Sequence, residues 1–164
     1  MNDVNQSPLI FCGPIPNEGE VPAGGYQACN RRTIVALTNA GFIVKPLAYP
    51  YPRSKGISKL LAYVSGFLSI FAVIAKARPS VLHVTGLYKQ FIYLEYILTK
   101  LAKNRRCRVI YDIRAGAMMR QYDARGALYR RVFRSTLLLA DTIMIEGLEY
   151  EEFVRKLTGK QPIY

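Results

Sequence analysis

Asp112 and Arg114 sit two residues apart in the run Asp112-Ile113-Arg114-Ala115-Gly116. On an extended strand, that spacing turns both side chains to the same side. A carboxylate there can hold a hydroxyl group, and a guanidinium can hold an anion through its planar fork of donors. The plainer reading of the pair is a local ion pair that steadies a loop. Three further runs set polar groups beside glycine: His83-Val84-Thr85-Gly86, Glu146-Gly147 and Ala23-Gly24-Gly25-Tyr26. His83 lies inside an apolar run, where a satisfied core histidine is the ordinary outcome and a site contact the sharper one. Glu146 is placed either for a site or to cap a helix that begins at Leu148. Gly24 and Gly25 open a helix after a strand and a loop, which aims backbone N–H groups and a positive dipole end at one spot suited to phosphate. The pair fits neither GxGxxG nor GxxxxGK[ST], so the residues exclude both of those phosphate loops. A bare glycine turn stays open.

The elements that must position these residues follow from short apolar runs alternating with helical stretches. Strands are expected at Leu9–Cys12, Phe42–Leu47, Val81–Thr85, Arg108–Ile113 and Thr142–Ile145. Helices are expected at Tyr26–Ala40, Ile57–Ala77, Tyr88–Lys103, Ala124–Ala140 and Leu148–Thr158. This alternation predicts an α/β fold of βαβ units with a mainly parallel sheet and helices on both faces. The polar runs and glycines then fall at the carboxyl ends of the strands, where such sheets bind ligands. The loops Gly13–Ala23 and Tyr49–Gly56 are long for βα connections, a mark of function or mobility. Gln161-Pro162-Ile163-Tyr164 reads as the start of a further strand, which makes the chain a fragment by expectation.

Composition narrows the class. The chain has 164 residues, enough for one domain with a real core, and 51% hydrophobic residues exclude global disorder. Its net charge of +12 is uneven. Leu101 to Arg134 holds ten Lys or Arg against Asp112 and Asp123, while Asp141 to Glu152 holds five carboxylates and no base. An oriented surface is expected. The stretch from Arg120 to Arg134 mixes arginine with tyrosine. It reads as the solvated side of an amphipathic helix, as a contact with anionic membrane through Arg130, Arg131 and Arg134, or, least favoured, as a nucleic-acid surface. Cys12, Cys29 and Cys107 form no CxxC or Cys/His pattern, so no metal site is expected and buried thiols in a reducing compartment are. The first residues lack the basic and apolar regions of a signal peptide, which predicts a cytoplasmic protein. Leu60–Ala75 is uncharged but short for a bilayer crossing, so a helix packed on the sheet is expected, with an interfacial helix as the alternative.

Three of these motifs, in this order, resemble the N-terminal domain of a family 4 retaining glycosyltransferase. They are Ala23-Gly24-Gly25-Tyr26 with Asn30-Arg31-Arg32, then Arg78-Pro79-Ser80-Val81-Leu82-His83-Val84-Thr85-Gly86, then Ala140-Asp141-Thr142-Ile143-Met144-Ile145-Glu146. The resemblance spans the whole chain, residues 1–164. It implies a Rossmann-like three-layer sandwich forming one half of a GT-B architecture, whose donor-binding C-terminal domain this chain lacks. It further implies that Gly24 and Gly25 approach the donor diphosphate, while His83, Thr85, Arg114 and Glu146 face the acceptor. Asp112 is then the candidate catalytic contact to an acceptor hydroxyl. The place where relatives often carry a histidine-containing acceptor segment reads Asp-Ile-Arg here. The implied activity moves sugar from a nucleotide-sugar to a glycan or lipid-linked acceptor, with no cofactor and a peripheral position at the inner face of the cell membrane. The chain alone would be inactive, since the family's paired glutamates have no counterpart in it. The competing reading is a non-catalytic module that binds a phosphorylated ligand or an anionic membrane.

Overall fold

The computed structural model describes residues 7–16, 19–50, 55–87, 89–114 and 116–164. The extreme N-terminus, Tyr88, Ala115 and parts of the two long loops (17–18 and 51–54) lie outside the described residues. Five strands run in the order β2-β1-β3-β4-β5, all parallel. They are β1 (Leu9–Gly13), β2 (Val44–Ala48), β3 (Val81–Gly86), β4 (Arg108–Ile113) and β5 (Thr142–Ile145). The helices are α1 (Gly25–Asn39), α2 (Gly56–Ala77), α3 (Phe91–Asn104), α4 (Met118–Ala124), α5 (Ala127–Leu139) and α6 (Glu149–Thr158). The fold is a Rossmann-like α/β sandwich of three layers.

Alternation along the strands gives the sheet two unlike faces. Ile10, Cys12, Leu82, Val84, Val109, Tyr111, Ile113, Ile143 and Ile145 point to one face and join a single apolar core with α2, α3, α5 and α6. Tyr122, Phe133 and Phe153 interlock there with ring centroids 5.3–6.0 Å apart, tying α4, α5 and α6 together. The other face presents Phe11, His83, Thr85 and Asp112, and α1 covers it through Asn30, its only buried residue.

Several boundaries differ from expectation, two of them for an evident physical reason. The helix expected from Ala124 starts at Ala127, because Arg125 is extended and Gly126 becomes the N-cap of α5, and a separate short helix, α4, precedes it. The second strand starts at Val44, not Phe42, because Gly41 turns at φ 88° and Phe42 N–H bonds back to Leu37 O. Ile163 does pair alongside β5. Its N–H donates to Ile143 O and its carbonyl accepts from Ile145 N–H, both at 2.9 Å.

Basic side chains close several helix ends, where orphan carbonyls and the dipole favour cations. Lys160 Nζ donates to Leu137, Leu138 and Ala140 carbonyls at the end of α5. Arg105 Nη1 reaches Ala75 O of α2 at 2.7 Å, and Arg134 Nε reaches Leu157 O of α6 at 2.8 Å. Part of the positive charge read from the sequence is therefore structural.

Candidate functional site

In the strand order observed, the chain leaves β1 toward one side and β3 toward the other, so a crevice opens at their carboxyl ends. Gly13 and Gly86 close these two strands, each for a packing reason. A Cβ on Gly13 would meet Asn30 Nδ2 and Thr85 Cβ at 3.0 Å, and one on Gly86 would meet Tyr111 Oη at 2.5 Å. Asn30 fixes α1 over this crevice. Its Nδ2 donates to Pro14 O at 3.0 Å, and its Oδ1 accepts from Thr85 Oγ1 at 3.0 Å. Thr85 is thus spoken for inside the fold.

Gly24 and Gly25 differ from the other crevice glycines. A Cβ on either would find open space within 4 Å. Gly24 caps α1 with an extended backbone at φ 165°, and neither glycine has a φ in the left-handed region. Gly24 has no side chain to cap this helix start, and Gln27 Oε1 reaches back to accept from Ala23 N–H at 2.7 Å. Among the described residues, neither packing nor backbone conformation calls for glycine here. What the pair leaves is an exposed helix start with no side chain at its N-cap.

Beneath α1 the polar residues form one network. Asp112 Oδ2 accepts from His83 Nε2 at 3.1 Å and from Arg114 Nε at 2.6 Å, with Arg114 Nη2 at 2.5 Å. Arg114 Nη2 also donates to Thr33 Oγ1 on α1 at 3.2 Å. Glu146 stands 3.9 Å from Arg114 Nε and accepts from Cys29 Sγ at 3.6 Å. His83 stacks on Phe11 with centroids 4.4 Å apart. Burial works against ionisation of Asp112, but the bonds from His83 and Arg114, with the charge of Arg114, hold it below the usual aspartate value. Burial likewise opposes the charge on Arg114, and Asp112 more than offsets it.

The arrangement changes the tasks expected from sequence. Asp112 is buried and faces His83 and Arg114, so its carboxylate positions the guanidinium. It is not presented to an incoming hydroxyl. Glu146 does not cap the last helix, whose N-cap is Leu148. It is the exposed member of the group, with its side chain 54% accessible. Cys29 is half-buried within this network, unlike the buried Cys12 and Cys107, whose thiols burial pushes up. Arg130, Arg131 and Arg134 lie on α5, on the far side of the sheet from α1, and take no part. Among the described residues, no cluster of three or more His, Cys, Asp or Glu is arranged for a metal.

One atom stands out. Arg114 Nη1 is buried in a side chain only 7% accessible and has no hydrogen-bond partner among the described residues. A buried guanidinium nitrogen without an acceptor is costly, and an oxyanion reaching it would complete its bonding. Arg114 lies under α1, bonded to Thr33 more than two turns on from Gly25 and facing the charge environment of Cys29 one turn on from Gly25. No protein-family model matches the chain, and no curated protein matches it either. The site therefore stands on its geometry. A second buried carboxylate, Glu95, belongs to the opposite face. Its Oε1 accepts from Leu87 N–H at 2.6 Å and its Oε2 from Tyr111 Oη at 2.5 Å.

Proposed function

We propose that this chain is the acceptor-side domain of a nucleotide-sugar-dependent glycosyltransferase, one half of a GT-B enzyme. The observation that carries the reading is a buried Arg114 nitrogen that lacks an acceptor among the described residues, lying under the helix whose exposed start is Gly24-Gly25. In retaining transfer the bond from the anomeric carbon to the donor phosphate breaks, and its electron pair leaves on the diphosphate. The acceptor oxygen bonds the same face of that carbon, and its proton leaves with the departing phosphate. A helix N-terminus and a guanidinium both oppose the charge that develops on the leaving group. Glycine at positions 24 and 25 lets a second domain and its diphosphate come close to the backbone. Asp112 and His83 then act as positioning residues for Arg114, and Glu146, being exposed, is the group best placed for an acceptor hydroxyl. Thr85 supports the site from below.

The test uses the enzyme encoded by the full reading frame, with release of nucleoside diphosphate as readout. Gly25→Trp is expected to abolish transfer while the thermal melt of the protein stays unchanged. Unchanged turnover would remove the diphosphate assignment. The alternative, a module that binds a phosphorylated ligand without transfer, draws on the same anion geometry within this chain alone. It gains if pyrophosphate raises the melting temperature through Arg114 and no nucleotide-sugar is ever consumed.

A further inference from the structure

The 22-residue helix α2 turns only one stripe, Phe67, Ile70 and Ile74, into the core. Of the 18-residue apolar window it contains, only 17% is buried. Its other side is also apolar: Ile57, Leu60, Leu61, Val64 and Leu68 are 78, 63, 63, 49 and 59% exposed. Those positions repeat at helical spacing, so they make one continuous strip along the helix. Beside the strip, α2 and α3 enclose a groove of about 330 Å³ lined by Leu60, Tyr63, Val64, Phe67, Phe91 and Leu94. Groove and strip lie toward the N-termini of α2 and α3, which follow the carboxyl ends of β2 and β3. They therefore share an edge of the sheet with the crevice under α1.

Charge identifies what this surface meets. Between Glu20 and Asp123 the sequence has two carboxylates, Glu95 and Asp112, and both are buried. The same span carries sixteen Lys and Arg, among them Lys55 and Lys59 at the exposed start of α2 and Lys76 and Arg78 at its end. An apolar strip with cations at its ends and no exposed carboxylate among the described residues around it complements an anionic bilayer surface. A protein partner with an apolar face would not select against carboxylates over so long a span. We propose that α2 lies in the plane of an anionic membrane, with the Ile57–Leu68 strip inserted among the lipid chains and the groove between α2 and α3 open to one of them. The inner stripe keeps α2 fastened to the domain, so it docks on the membrane and does not cross it. This docking is independent of the transferase reading.

Vesicle flotation of the purified protein tests it, with phosphatidylcholine alone and with equimolar phosphatidylcholine and phosphatidylglycerol. Binding is expected to the anionic vesicles only. Lys55→Ala with Lys59→Ala should weaken it roughly 30-fold, from about 1 kcal/mol per charge. Leu60→Ser with Leu61→Ser should weaken it by at least tenfold at unchanged circular dichroism, since both side chains are exposed and the fold does not depend on them. Arg130→Glu with Arg131→Glu should retain most of the binding. Loss of binding in this α5 pair but not in the leucine pair would overturn the proposal, as would equal binding to neutral vesicles. A concentration-dependent dimer that the leucine pair abolishes, in a protein that never floats, would assign the strip to a second copy of the chain and overturn it equally.

Discussion

The two faces of the sheet are held by different physics. On one, α2, α3, α5 and α6 bury branched and aromatic side chains against Ile10, Val84, Val109 and Tyr111. On the other, α1 buries a single asparagine and is tied down by hydrogen bonds that Asn30 and Cys29 donate to Pro14 and Glu146 and that Asn30 and Thr33 accept from Thr85 and Arg114. Apolar burial is roughly proportional to area and has no direction, whereas a buried polar network pins groups in defined positions at small net gain. One face supplies stability; the other supplies placement.

Phe133→Ala probes the apolar face most sharply. It removes a fully buried ring shared among α4, α5 and α6, and urea denaturation should show a loss of about 4 kcal/mol. A loss below about 1 kcal/mol would break the comparison. On the polar face, Asp112→Ala strands Arg114 and His83 and should cost about 3 kcal/mol. Adding Arg114→Met should recover part of that loss, as expected where charges are kept for placement and not for stability. Because Asp112 is held below its ordinary value when folded, its contribution is complete above the normal aspartate range. It drains as pH falls through the folded value, so wild type and Asp112→Ala should converge in acid.

Glu95 should show the opposite sign. Burial outweighs its bonds from Tyr111 and Leu87 and raises it from 4.5 to about 8. Its stabilising effect is whole below pH 4.5 and is lost as pH rises toward 8, with a slope of up to about 1.4 kcal/mol per pH unit. Glu95→Gln should flatten that slope in pH-dependent melts. Gly86→Ala should cost about 2 kcal/mol, because its methyl collides with Tyr111 in the packed core. Gly25→Ala is expected within about 0.5 kcal/mol of wild type, since its methyl enters open space. A large loss there would mean that the helix start answers to the chain's own packing after all.

Much of the fold was legible because parallel strands buried on both sides read as short apolar runs, and the sites of Val81, Arg108 and Thr142 as strand starts agree with the structure. The short helix α4 was not: its N-cap, Ala117, offers no side-chain cap, and its start at Met118 carries no helix signal. In the site, Asp112 and Arg114 were visible as neighbours in sequence. The contacts of His83 with Asp112 and of Arg114 with Thr33 were not, being 29 and 81 residues apart and fixed only by strand register and by the seating of α1. Asn30 entered only through the Asn30-Arg31-Arg32 motif of the resemblance, and Thr33 gave no signal, since polar residues on a helix ordinarily face solvent. The apolar segment Leu60–Ala75 was legible as a helix, but composition does not tell which of its two apolar sides would be covered.

The seating of α1 by bonds in place of burial carries a consequence for its motion. Regions with little buried apolar area open locally at free energies below that of global unfolding. The amides of α1 should therefore exchange with solvent deuterium faster than those of α3 or β4. Any anion that binds Arg114 only while α1 is seated over it would close that opening by mass action. Protection confined to α1 on addition of a ligand would then report occupancy of the crevice before its chemistry is known.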